Sequence, residues 1–353
     1  MHDGIARNYQ IFVPSNYDPL TPVPLVLNYH GLGSDAFEQR YYSLFDAVAE
    51  DSTFIVVYPN GISKAWNSGI VAQSTADDVG FTEALIDKVS TDYSINPRRI
   101  YATGMSNGGI MVYRLACELE HKITAIASVT GVIAPTHVNN CQNNRPVPVM
   151  QIHGTTDPIV DYNGLPGFFL GAEASVDFWV NRNNCDPSGV TTSVLDINVL
   201  DLCTAERTVY SSCDNATEAI LYKITNGGHT WPDASVNIPT NGNTNRDFNA
   251  TREIWDFFSR HTLPLGTNSE DINTFLPHSI APNPFDDQLQ IDVAHNKSLQ
   301  IVLTNVLGHT VLSQETADSS VLLDLSDLTA GIYFVTLSSG DSQITKKIVK
   351  QNN

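Results

Sequence analysis

Three residue types that together perform acyl transfer occur in a telling order along this chain: Ser106, Asp157 and His229. A serine hydroxyl is a weak nucleophile at neutral pH; it needs a base within hydrogen-bond reach and a third group that orients the base. Ser106 lies in Gly104-Met105-Ser106-Asn107-Gly108-Gly109, directly after the apolar run Ile100 to Thr103. Small residues on both sides allow the chain to turn sharply between a strand and a helix and lift the hydroxyl clear of the sheet. Asp157 follows the run Val147 to Ile152 in His153-Gly154-Thr155-Thr156-Asp157-Pro158, and His229 follows Ala219 to Lys223 in Asn226-Gly227-Gly228-His229-Thr230-Trp231. Each residue therefore stands just past a strand-type run, which predicts that all three meet at one sheet edge. The glycines before His229 are expected to let its loop bend toward the serine.

Rival assignments are weaker. His153 and His30 also follow strand-type runs, but His153 precedes the acid and is expected to pack or hydrogen-bond beneath the loop. Asp161 is the alternative acid, while Asp77 and Asp78 lie upstream of the serine and are expected to cap a helix. The oxyanion formed when serine attacks needs donors already aimed at it, and backbone N–H groups serve this purpose. Asn107 supplies one at the start of the helix after the serine. The second is expected from His30-Gly31-Leu32-Gly33-Ser34, with Leu32 preferred and Gly33 next. Trp66, Trp231 and His30 are expected to meet substrate, since aromatic walls suit flat acyl groups or sugars. No zinc, calcium-loop or phosphate-loop motif is present, so neither a metal nor a cofactor is expected.

The elements that must position these residues alternate strand and helix signals. Pro24 to Tyr29 and Phe54 to Tyr58 read as buried strands separated by one helix over Phe37 to Glu50; helices are expected over Asp78 to Val89, Gly108 to Leu119, Phe168 to Asn181 and Asn249 to His261. This is an α/β pattern: a mostly parallel sheet covered by helices on both faces. From Leu289 onward only short β-type runs remain, which predicts a small all-β sandwich. The expected domains are 1–262 and 278–353, with a Pro/Gly/Ser-containing linker over 263–277.

At 353 residues and 42% hydrophobic content the chain can bury a large core. Its formal charge of −19 is spread over both parts, which makes nucleic acid and anionic membranes poor partners. The cluster Lys346, Lys347 and Lys350 is expected only to solvate an edge strand. No apolar run is long enough to span a membrane, and residues 1–4 have no signal-peptide character. Five cysteines without Cys-X-X-Cys spacing point to disulfides and an exported protein; Cys117 with Cys141 and Cys185 with Cys213 are the preferred pairs, although spacing alone leaves connectivity open.

Several blocks resemble a known family. Arg7-Asn8-Tyr9-Gln10-Ile11-Phe12-Val13-Pro14, His30-Gly31, Tyr58-Pro59-Asn60-Gly61, Trp66-Asn67, Asp77-Asp78-Val79-Gly80-Phe81, the Ser106 turn, the Asp157 loop and Gly228-His229-Thr230-Trp231-Pro232 recur in order. Together they resemble the secreted feruloyl esterase and polyhydroxybutyrate depolymerase-like esterases of the α/β-hydrolase superfamily. The resemblance implies an α/β-hydrolase fold, a Ser106-Asp157-His229 triad, and ester substrates of polymeric type: feruloyl or acetyl esters of plant cell-wall polysaccharide, or alternatively a polyhydroxyalkanoate or other polyester. A competing class is a non-catalytic, surface-displayed polymer-binding protein. The tail, with Ala281-Pro282-Asn283-Pro284-Phe285 and Leu328-Thr329-Ala330-Gly331-Ile332-Tyr333, resembles the C-terminal sorting domain of the type IX secretion route. That implies a secreted or surface-attached protein whose tail meets the export machinery.

Overall fold

The computed structural model describes residues 1–70, 74–141, 145–264, 277–293, 299–318, 320–339 and 342–351. It divides into two units, 1–264 and 265–353. Most of the linker expected over 263–277 lies outside the described residues.

Unit 1 is built on strands β1 (Tyr9–Phe12), β2 (Val23–Tyr29), β3 (Ile55–Pro59), β4 (Ile95–Met105), β5 (Ala125–Val129), β6 (Val149–Gly154), β7 (Val190–Ser193), β8 (Thr204–Tyr210) and β9 (Ala219–Thr225). Its helices are α1 (Ala36–Ser43), α2 (Phe45–Ser52), α3 (Asp78–Asp92), α4 (Asn107–Glu118), α5 (Pro135–Asn140), α6 (Ala172–Arg182) and α7 (Ala250–Ser259). The strands form one sheet in the order β1-β3-β2-β4-β5-β6-β9-β8-β7. The six strands from β3 to β9 in that order run parallel, and antiparallel strands flank them at both edges.

The strands β2, β3, β5 and β6 are buried throughout because both faces are covered. In β2, Leu25 and Leu27 enter the core beneath α3 and α4, while Val26 between them enters the core beneath α2 and α7. The helix expected over Phe37 to Glu50 is two helices, broken at Leu44, which sits in the left-handed region at φ 53°. The break lets α1 and α2 present differently directed faces. Residues 190–210, part of what reads in sequence as a polar cysteine-bearing segment, add the antiparallel strands β7 and β8; β7 is exposed throughout and β8 is buried at one position only, so no continuous apolar run announces them.

Both preferred disulfides are formed, Cys117–Cys141 and Cys185–Cys213, and Cys203 is free and buried. Asp77 caps α3 by accepting from the Gly80 N–H, as expected. Asp78 does something else. It is fully buried against Arg7 at 2.6 Å and also accepts the Asn67 N–H at 2.7 Å, while the Arg7 guanidinium lies 3.7 Å over the Phe81 ring. Replacing Arg7 with leucine leaves the Asp78 carboxylate buried without its cation. The expected loss is about 3–5 kcal/mol of unfolding free energy in chemical denaturation.

Unit 2 contains β10 (Pro277–Ala281), β11 (Gln288–Val293), β12 (Leu299–Asn305), β13 (Thr310–Thr316), β14 (Ser320–Asp324), β15 (Gly331–Ser339) and β16 (Ser342–Lys350). They form two antiparallel sheets, β10-β11-β14 and β13-β12-β15-β16, which share a core including Leu289, Ile291, Ile301, Leu323 and Val335. This is the expected sandwich. Lys350 is an exception to the solvated-lysine reading: it is buried, and its Nζ donates to the Leu325 carbonyl at 2.6 Å and pairs with Asp287 at 3.2 Å. Its position at the end of edge strand β16 turns it inward, where a carbonyl and a carboxylate replace water.

Candidate active site

Ser106 occupies the corner between β4 and α4 with φ 55° and ψ −120°, a conformation that costs energy for any residue with a Cβ. It is held from both sides. Its N–H donates to the Val129 carbonyl of β5 at 2.9 Å, and its carbonyl accepts from the Ile110 N–H at 2.9 Å. Gly108 is required by close approach, since a Cβ there would stand 2.2 Å from the Tyr29 carbonyl oxygen. The turn can therefore pack against the end of β2 only without a side chain at that position.

Asp157 and His229 lie on the loops after β6 and β9, and His229 Nδ1 is 2.7 Å from Asp157 Oδ2. Both residues are buried. Asp157 Oδ1 accepts the Ile159 and Val160 N–H groups, each at 2.8 Å, so the Nδ1 partner on Oδ2 is the protonated nitrogen of His229. That leaves Nε2 as the ring nitrogen free to take a proton. Burial alone would raise the Asp157 carboxyl. Hydrogen bonds and charge from His153 and His229 outweigh it and hold the group well below the usual carboxylate range. The His229 backbone is fixed by Asn241, which accepts its N–H and donates from its side chain to its carbonyl. Gly227 and Gly228 have ordinary backbone angles; they serve close packing, with a Cβ at Gly228 placed 2.0 Å from the Asn241 carbonyl oxygen. The rival acid Asp161 instead caps its own turn through the Asn163 N–H.

Ser106, Asn107, Leu32, Gly31 and His229 line one cavity of about 810 Å³. A Cβ on Gly31 would lie 3.4 Å from Ser106 Cβ and 4.0 Å from its Oγ, which shows how closely the loop after β2 approaches the serine. Leu32 is half exposed at the cavity rim.

The three residues expected to meet substrate do not line this cavity. Trp66, Trp231 and His30 are all buried, at 0%, 1% and 0% exposure. Trp231 packs edge-on against Phe45 and donates its Nε1–H to Thr251. His30 Nδ1 donates to the Gly31 carbonyl at 2.7 Å and Nε2 accepts the Gly61 N–H at 3.0 Å; burial lowers its pKa, consistent with this neutral form. Trp66 Nε1–H donates to the His30 carbonyl at 2.9 Å. These two residues brace the loop that carries Gly31 and Leu32. Asn107 has a second part to play, because its side chain accepts the Trp66 N–H and donates to Ser68 Oγ. The buried polar requirements of a loop end, invisible in sequence, account for all three.

Aromatic residues at the cavity come from an unexpected place. Helix α1 buries Ala36, Gln39 and Ser43 and exposes Phe37 and Tyr41, the reverse of ordinary amphipathicity. Gln39 and Ser43 are satisfied by Asn28, and Phe37, Tyr41 and Tyr42 line the cavity with Phe169, Val236 and Ile238. A polar residue buried on the sheet side of this helix is the only sequence signal, and it is legible only once Asn28 is known to face it.

The fold is that of an α/β-hydrolase. Residues 70–165 match the family described as Phospholipase/Carboxylesterase, and residues 279–351 match the Secretion system C-terminal sorting domain. The chain is 27% identical over 264 residues to a bifunctional acetylxylan esterase/xylanase of Neocallimastix patriciarum, covering 74% of this chain and 34% of that protein. It is 28% identical to feruloyl esterase B of Piromyces equi (73% and 46% covered) and 29% identical to feruloyl esterase C of Emericella nidulans (64% and 76%). It thus spans between a third and a half of the length of the first two. An acetyl xylan esterase structure from Aspergillus awamori shares the fold, with a TM-score of 0.51 and 15% identity over 71% of this chain and 93% of that one. The chain is similar to these feruloyl and acetylxylan esterases, and its residues 279–351 match a sorting domain of exported or surface-attached proteins. No helix among the described residues is long and apolar enough to cross a membrane.

Proposed function

We propose that the protein is a secreted serine carboxylesterase. Ser106 Oγ attacks the ester carbonyl while His229 Nε2 takes its proton, and the alcohol leaves with that proton as the acyl-Ser106 ester forms. Water then attacks by the same route in reverse roles, releasing the acid and restoring the serine. Asp157 keeps the proton of His229 on Nδ1, and the N–H groups of Leu32 and Asn107 stabilise the oxyanion. The observation that carries this reading is the 2.7 Å contact between His229 Nδ1 and Asp157 beside a cavity that Ser106 lines in a strained turn.

The cavity favours a bulky uncharged acyl group. Its lining includes Phe37, Tyr41, Tyr42 and Phe169 and one charged side chain, Glu38, but no lysine or arginine. A cavity of about 810 Å³ is far larger than an acetyl group needs, whereas a phenylpropenoyl acyl group would bury its ring there. Together with the names of the relatives, this supports feruloyl esters of plant cell-wall polysaccharide as substrate, ahead of acetyl esters. The exposed rim of Leu32, Phe37, Tyr41 and Ile159 gives a polyester such as polyhydroxybutyrate a second claim. The tail, 278–353, delivers the enzyme to the type IX export machinery.

The test is a fluorophosphonate probe followed by parallel assays on methyl ferulate, acetylated xylan and polyhydroxybutyrate film. We expect stoichiometric labelling at Ser106 and the highest kcat/KM on methyl ferulate. Labelling with turnover only on the film moves the substrate to polyesters. Absence of both labelling and product leaves a polymer-binding protein.

A further inference from the structure

Asp157 carries a second imidazole. His153 Nε2 lies 3.3 Å from Asp157 Oδ2, the same oxygen that His229 engages, and 2.9 Å from the Val160 carbonyl. His153 is fully buried in β6. Its tautomer follows from its neighbours. Gln151 Nε2 donates to the Gly131 carbonyl at 2.7 Å, which fixes the amide orientation because a carbonyl can only accept, and Gln151 Oε1 accepts from Tyr113 Oη at 2.6 Å. The other Nε2 hydrogen of Gln151 therefore points at His153 Nδ1, 3.0 Å away, and Nδ1 must accept. The Val160 carbonyl independently demands a donor at Nε2. Both ends of the ring agree on a neutral imidazole with its proton on Nε2.

We propose that His153 is a positioning residue that aims Asp157 at His229, and that the chain Tyr113–Gln151–His153–Asp157 sets the register between nucleophile and base. The proposal rests on the serine esterase reading above. Its reach comes from where the members sit: Tyr113 is on α4, the helix that begins immediately after Ser106, while Gln151 and His153 are on β6, which feeds the Asp157 loop. The same Val160 whose N–H holds Asp157 Oδ1 gives its carbonyl to His153, so one imidazole closes the loop on itself. Oδ1 takes two backbone N–H groups and Oδ2 takes the His229 Nδ1–H, while the His153 Nε2–H, whose nearer acceptor is the Val160 carbonyl, stands 3.3 Å from that same Oδ2 and limits rotation of the carboxylate away from His229. The other group around the ring is the edge-on Tyr162 ring, 5.8 Å away, and among the described residues no lysine or arginine pairs with Asp157.

The effect is separable from folding. His153→Gln can keep an N–H donor near the Nε2 position, and His153→Leu keeps apolar volume but offers none. Misplacement of a reacting group costs up to about 100-fold, so His153→Leu is expected to lower kcat on methyl ferulate by roughly 10- to 100-fold with KM changed less than about twofold. His153→Gln is expected to recover most of that loss at a comparable unfolding midpoint. Equal kcat in all three proteins, or losses in the two variants that simply follow their stabilities, overturns the proposal. If the leucine variant does not fold, nitrogen NMR of the wild-type protein with labelled histidine decides instead. A protonated Nε2 and bare Nδ1 on His153, assigned with the glutamine variant, is the required result, and a proton on Nδ1 overturns the proposal. A wild-type protein with neither turnover nor fluorophosphonate labelling refutes the esterase reading itself, which is a different outcome from an active enzyme indifferent to His153.

Discussion

Replacing Ser106 with alanine is expected to lower kcat/KM by roughly five to six orders of magnitude, leaving only the residual rate that binding and oxyanion stabilisation provide. The fold should be untouched. Alanine keeps the Cβ that makes φ 55° costly, so neither the strain of the turn nor its bonds to Val129 and Ile110 change; only Oγ is lost. Circular dichroism and the unfolding midpoint should match wild type, and fluorophosphonate labelling should vanish. Glycine at the same site provides an internal control, because removing the Cβ releases strain of about 1–3 kcal/mol while abolishing activity equally. An alanine variant that retains substantial turnover would show that another residue is the nucleophile.

Asp157→Asn is expected to cost about 10⁴ in kcat while preserving shape, and the reason is tautomeric. Asparagine can still accept the Ile159 and Val160 N–H groups through its carbonyl. Its amide nitrogen then faces His229 Nδ1 and donates to it, which drives the imidazole proton onto Nε2, the nitrogen that must be bare to activate Ser106. Stability should respond to pH in a definite direction. The Asp157 carboxyl is depressed in the folded protein relative to an unfolded value near about 3.9, so its stabilisation is present above that pH and lost as the pH falls through the folded value. The stability gap between wild type and the asparagine variant should therefore be widest at neutral pH and close in acid. A gap that widens in acid, or activity within tenfold of wild type, would mean that Asp157 does not orient His229.

The reading of the elements succeeded where burial on both faces made sequence and environment coincide. The strands β2, β3, β5 and β6 are buried at every position because helices cover each side of the sheet, and the ends of β4, β6 and β9 mark where Ser106, Asp157 and His229 emerge. The same logic failed for β7 and β8, whose exposed faces carry no apolar run, and for α1, where a buried Gln39–Asn28–Ser43 network replaces apolar packing and frees Phe37 and Tyr41 for the cavity. Trp66 and Trp231 are the aromatics expected to meet substrate, Trp231 also for standing two residues from His229 along the chain. Proximity along the chain does not specify which face of a loop a side chain takes, and both tryptophans turned inward to find partners for their indole N–H groups.

Composition, strand periodicity and the Ser–Asp–His order by themselves determined the two-unit architecture and the three residues on which acyl transfer would depend, and left the disulfide connectivity open. These are local or ordinal properties, written in residue type and spacing. Only the tertiary structure decided what surrounds them: that His30 and Trp66 brace the loop at Leu32 instead of lining the cavity, that α1 turns its aromatic side to the cavity, and that His153 stands beside Asp157 with His229. Those outcomes depend on which buried N–H or carbonyl finds which partner, from His153 with Val160 to His229 with Asp157, and such pairings are made by the fold as a whole.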